Sequence, residues 1–269
     1  MFTVKNMNIE DVLNNLYKNE NLTDLVKQDL DSLITLFYES FSNVSLENIT
    51  QRIKTLSFEN VNSFLSKKTM HYNEGTNAIQ INVKSLETSE NIKYHYMKTL
   101  LDMIVLNKRD QNHLLDAYND GMKTIIASFL TGRDENEKVT PEESLVQIIN
   151  NIIGSNDAFN IYFRSDPSLL VDALTREGMQ MESIVPFLEN MNYDKKMRDT
   201  LMKSSYQENI MKFAESFNDG LEERKVDKAS DFIIENSDVF ESDIDYGNLN
   251  DLSSIFKKYL KKEELSKTK

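Results

Sequence analysis

Apolar residues recur at helical spacing along most of this chain, and that recurrence is what most limits its possible folds. Ile9, Val12, Leu13 and Leu16 stand at i, i+3, i+4 and i+7, the spacing of a single helix face. Behind Thr23, Leu25, Leu30, Leu33, Ile34, Phe37 and Phe41 make a second stripe, with Asp24 in the first turn where a helix N-terminus favours negative charge. Ser45, Leu46, Ile49, Ile53 and Leu56 open a third. The run Thr140-Pro141-Glu142-Glu143 puts a capping hydroxyl, a proline at the first helical position and two acids in the first turn, so a helix is expected from there to Gly154. Two further helices are expected over Asn156–Phe163 and, behind Asp166-Pro167, over Leu169–Arg176. Beyond Gly178 come Met181–Met191 with Pro186 inside it, Asp194 to about Leu221, Lys228–Glu235 and Leu249–Leu260. Turn formers are scarce to match: 7 glycines and 3 prolines in 269 residues cannot supply the many tight turns of a sandwich or barrel. The expected class is mainly α (α+β).

One region departs from the helical period. Thr69–Tyr72 and Ala78–Val83 are short extended runs around Asn73-Glu74-Gly75-Thr76-Asn77, a turn cluster with Gly75 available for a positive φ. Ile79, Ile81 and Val83 alternate with Gln80 and Asn82, which predicts a strand buried on one side and a small antiparallel hairpin. The preceding stretch Ser57–Leu65 reads equally as strand or helical turn. After the hairpin, Lys93–Asn107 reads as a core helix with Ile92, Tyr96, Leu100, Met103 and Ile104 as its buried stripe. A second helix follows over His113–Leu130, with Leu114, Leu115, Tyr118, Met122, Ile125, Ile126 and Phe129 periodic, and Thr131–Lys138 is expected to be an exposed loop.

The charge balance narrows the partners. A net charge of −13 disfavours nucleic acid, because phosphate affinity rests on Lys and Arg displacing counterions, and it disfavours anionic membrane surfaces for the same reason. With no cysteine there are no disulfides, thiolate metal sites or thiol nucleophiles. The first fifteen residues lack the pattern of a secretory signal and no window is long and apolar enough to span a membrane, so a cytoplasmic location is expected.

The segment from Met70 to Arg176 carries a family resemblance. A hairpin, a following helix (Leu100–Leu106) and a second helix with Tyr118-Asn119-Asp120-Gly121 resemble the order of elements in zincin metalloproteases, particularly small gluzincin-like domains of bacteria. The resemblance implies a zincin-like core over 1–177; from the residues themselves, a helical C-terminal region over 178–260 and a disordered tail over 261–269 are expected behind it. In such proteases two histidines four residues apart on one helix bind zinc and a glutamate between them polarises the metal-bound water. Here the corresponding positions hold Asp102, Met103 and Leu106, and the acid of the second helix is Asp120. The three histidines, His71, His95 and His113, never stand four apart. Asp102 and Asp120 are therefore candidates for a vestigial site only, and no catalytic residue, metal or cofactor is expected.

Asp102 is expected to pair with Lys98 one helical turn away, and His95 to be a surface or packing histidine. Glu142-Glu143 and Glu222-Glu223 read as helix-surface charge, and Asp238, Asp243 and Asp245 as a solvated linker. Phosphate-binding, dinucleotide-binding, serine-hydrolase and EF-hand motifs are absent from the sequence. The function expected from these features is that of a catalytically inactive metalloprotease-like protein acting through a protein partner. The alternative is a helical scaffold of a mobile element or phage with no enzymatic ancestry.

Overall fold

The computed structural model describes residues 9–61, 69–109, 113–137, 139–199, 212–217, 225 and 227–228. The helices expected at Lys228–Glu235 (beyond its first residue) and Leu249–Leu260, the tail 261–269, Glu222-Glu223 and the acids at Asp238, Asp243 and Asp245 lie outside the described residues. The protein is mainly helical with one three-stranded mixed sheet. It divides into two compact units that are not contiguous in sequence: Met1–Asn107 with Lys123–Lys138, and Lys108–Met122 with Val139–Lys269. Among the described residues no helix is long and apolar enough to cross a membrane.

The first unit opens with α1 (Ile9–Tyr17), α2 (Asp24–Ser40) and α3 (Glu47–Ile53). The Thr23 hydroxyl accepts from the Val26 N–H and caps α2 as the sequence predicts. The stripe on α2 is shifted, however: Leu25 is 70% exposed, whereas Lys27 is buried beside Leu30, Ile34 and Phe37. At 100° per residue Leu25 falls well off the line of those three, while Lys27 lies on it and sends its ammonium to the Tyr17 carbonyl. A fully buried Asn19 fixes the turn between α1 and α2 on the end of α3. Its amide donates to the carbonyls of Ile53 and Leu56, both at 2.8 Å, and its oxygen accepts from the Asn21 N–H.

The chain then enters β1 (Ser57–Val61), so the ambiguous stretch is a strand in its first half. It is followed by the expected hairpin, β2 (Met70–Asn73) and β3 (Ala78–Asn82). The sheet order is β1-β3-β2, with β2 antiparallel and β1 parallel to β3. The expected antiparallel hairpin is present, and β1 joins it in parallel to make the sheet mixed, through a connection long enough for a parallel pairing. In the turn, the left-handed residue is Asn77 (φ 49°) and not Gly75. Asn77 is held there by its own side chain, which donates to the Arg52 carbonyl and the Thr55 hydroxyl and accepts from the Tyr72 hydroxyl.

Val83 does not extend the strand; it begins α4 (Val83–Glu87), which leads to α5 (Ile92–Arg109). Between Tyr94 and Val105 only Lys98 and Asp102 escape full burial, so α5 is a helix covered on nearly all sides rather than on one stripe. Ile92, placed on that stripe by spacing, lies at the exposed first turn.

In the second unit a 3-10 turn (His113–Leu115) runs into α6 (Asp116–Thr131), whose last nine residues belong to the first unit. Phe129, periodic in sequence, is 72% exposed near the end of α6. There follow α7 (Pro141–Ile153), α8 (Ser155–Arg164), α9 (Pro167–Arg176) and α10 (Met181–Asp199). Thr140 and Asp166 cap α7 and α9 as expected, each followed by proline at the first helical position. Gly121 lets α6 and α7 approach closely: a Cβ there would stand 2.7 Å from a Val146 methyl. Asn192 of α10 ties the 3-10 turn down by donating to the carbonyls of His113 and Leu114 and accepting from the Ala117 N–H. The break expected after Met191 is absent; α10 is continuous through Pro186 to Asp199. Phe187, Phe213 and Phe217 pack in series, with ring centres 4.7 and 5.2 Å apart, the first pair tilted and the second edge-on.

Candidate functional site

The two acids at the ligand positions of the resemblance belong to different units, and each faces a lysine of its own unit. Asp102 lies on the narrow polar strip of α5, where Lys123 of α6 meets it. Both of its oxygens accept from the Lys123 ammonium, at 3.0 and 3.2 Å, in an ion pair largely withdrawn from water. Lys98, one helical turn before Asp102, reaches Glu137 at 2.7 Å. Asp120 pairs with Lys195 of α10. Of the histidines, His71 lies half-buried on β2 and His113 is exposed beside Asp116. Among the described residues no group of three or more His, Asp or Glu side chains is arranged to hold a metal ion.

The densest polar cluster among the described residues of the first unit is elsewhere, where the segment after α6 meets the start of α5. Asp134 is 1% exposed and His95 3% exposed, with His95 Nε2 3.0 Å from Asp134 Oδ2. The same carboxylate oxygen accepts from the Ser89 hydroxyl at 2.5 Å and from the Asn91 N–H, while Oδ1 accepts from the Asn136 N–H. Glu137 approaches the other ring nitrogen, 3.6 Å from His95 Nδ1, and accepts from the Tyr94 hydroxyl and the Lys98 ammonium. Asn91 and Asn136 complete the closure, donating to the carbonyls of Thr131 and Gly132 and of Thr88 respectively.

The electrostatics follow from this donor count. Burial by itself would raise the Asp134 carboxyl, but the bonds from Ser89, Asn136, His95 and Asn91 outweigh it and hold the group well below the usual carboxylate range. Glu137 behaves alike: burial pushes it up, and the charge and hydrogen bond of Lys98, with the Tyr94 bond and the His95 ring, bring it below its ordinary value. Both groups are therefore anions surrounded by donors. Chemically, such an arrangement clamps a segment by charge-assisted hydrogen bonds. The His95 ring, enclosed on both nitrogens, is held as part of that clamp.

Three expectations are decided here. The segment 131–138 is not simply an exposed loop, because Asp134 is a buried anchor within it. Of the two expectations for His95, surface or packing, the packing one holds: it is buried and polar-bonded. No spacing links His95 to Asp134, thirty-nine residues apart, so only the oddity of a histidine between two tyrosines on an apolar helix marked the place. Glu142 and Glu143 are also buried, at the first turn of α7, and are not surface charge.

No protein-family model, no curated protein and no solved structure matches this chain.

Proposed function

We propose that the protein is a protein-binding module in which a metalloprotease-like succession of hairpin and helices serves as a scaffold, its former ligand positions given over to ion pairs. The observation that carries this reading is the closure of both candidate acids by lysine: Asp102 by Lys123 and Asp120 by Lys195. The Lys123 ammonium seated on both oxygens of Asp102, and that of Lys195 on Oδ2 of Asp120, offset the charge that would otherwise attract a metal ion. The order of β2, β3, α5 and α6 supports the scaffold half of the reading, since it is the order the resemblance implies.

The binding half rests on α10. Ile184, Phe187, Leu188 and Met191 are buried on one side, yet Met181, Val185 and Tyr193 leave large apolar surface open on the same helix. Isolated exposed apolar residues are ordinary, but Met181 and Val185 stand one turn apart and make a contiguous patch of the kind protein partners cover. The test is affinity capture with the full chain and with M181D/V185D, both checked for equal helix content. A partner retained by the wild type and lost by the double variant supports the reading. Equal retention by both removes α10 as the binding face.

A further inference from the structure

β1 stands at one edge of the sheet, paired to β3 on one side. The Ser57 N–H donates to the Asn77 carbonyl, and Ser57 pairs in register with Ala78. In a parallel pairing this parity sends the N–H and C=O groups of Ser57, Glu59 and Val61 toward β3 and those of Phe58 and Asn60 away from it. Among the described residues, no hydrogen bond engages the outward backbone groups of Phe58 and Asn60. Asn60 is exposed and Phe58 half-buried, its ring set edge-on against Tyr96 at 5.9 Å. The strand contains no proline and no lysine, the usual devices that blunt an edge against further pairing.

The middle of this edge is Glu59. Its side chain accepts from Gln80, its register partner on β3, at 3.0 Å. Among the described residues no lysine, arginine or histidine lies within ion-pair distance of it. We propose that β1 receives an extended partner segment in antiparallel addition, with a basic residue opposite Glu59 and apolar β-formers on either side. Residues opposite Phe58 and Asn60 would each exchange a pair of backbone hydrogen bonds with them. Side chains at those two positions share the face of Phe58, Ile79 and Ile81, which is the apolar face of the sheet. The residue between them falls on the opposite face, directly across from the Glu59 carboxylate. A second copy of this chain is a poorer occupant, because the two-fold pairing that uses the same backbone groups sets Glu59 against its own counterpart. This surface lies in the first unit and is independent of the patch on α10.

The probe is a blocked pentapeptide, Thr-Val-Lys-Val-Thr, titrated into the isotopically labelled full chain and followed by backbone amide resonances. The Phe58 and Asn60 amides are expected to shift together. A glutamate-centred peptide is expected to bind about tenfold more weakly, the difference between a favourable and a like-charge cross-strand pair. E59K should invert that preference. N60P, which removes an outward N–H and leaves the ladder to β3 intact, should abolish binding with the fold retained. Silent Phe58 and Asn60 amides overturn the proposal. So do equal affinities for the two peptides in both wild type and E59K, or concentration-dependent broadening of these amides without peptide, which would assign the edge to a second copy.

Discussion

The pair Asp102–Lys123 sits at the position where the resemblance would put a zinc ligand, and its energetics set it apart from surface charge. Both side chains are largely buried, so removing one partner leaves the other desolvated and uncompensated. D102A is expected to lower unfolding free energy by about 3 kcal/mol, read from urea denaturation. The double variant D102L/K123M is expected to recover most of that loss, since an ion pair replaced on both sides by apolar groups of similar volume is often close to neutral. If the two single losses simply add in the double variant, the pair is not coupled and the ion-pair account of Asp102 fails. The sequence offered Asp102 as an odd acid on an apolar helix, and that much was legible. Its bond to Lys123 was not, because Lys123 belongs to the following helix and no local spacing reaches that far.

At the scale of elements, local signals read true wherever a few adjacent residues decide the outcome. Thr140 with Pro141, Asp166 with Pro167, and Thr23 all start helices, because a cap satisfies its own first-turn N–H groups and needs nothing distant. The hairpin was visible through alternation in Ala78–Asn82. The parallel β1 was not, since Ser57–Val61 acquires its identity from a partner strand twenty-one residues on. The segment 132–137 is the clearest case: its composition is that of a solvated loop, and it is held by one buried carboxylate that composition cannot single out.

That clamp has a testable pH signature. Asp134 and Glu137 are both depressed in the folded protein, so their contribution is complete above the unfolded carboxylate value near pH 4 and is lost as pH falls below it toward the folded values. Unfolding free energy of the wild type should therefore decline on acidification below about pH 4, and D134N should show a shallower decline from a lower starting stability. Hydrogen exchange gives the local reading: in D134N the Asn91 and Asn136 amides should lose protection while α1 and α2 keep theirs. An unchanged acid slope in D134N would mean that the clamp does not contribute to stability.

For the whole molecule, the mainly helical class with a small sheet followed from helical spacing and the shortage of turn formers. The division into two units did not, because the chain crosses between them within α6, in a helix whose residue pattern gives no sign of a boundary. The proposed role as a binding scaffold turns on whether the two lysine-closed acids have lost their attraction for metal. The decisive measurement is bound zinc per chain, determined by elemental analysis after purified protein has been equilibrated with zinc and separated from free ion. Substoichiometric zinc is expected, unchanged in D102N and D120N. One zinc per chain that disappears in either variant would contradict the proposal and restore these acids as metal ligands.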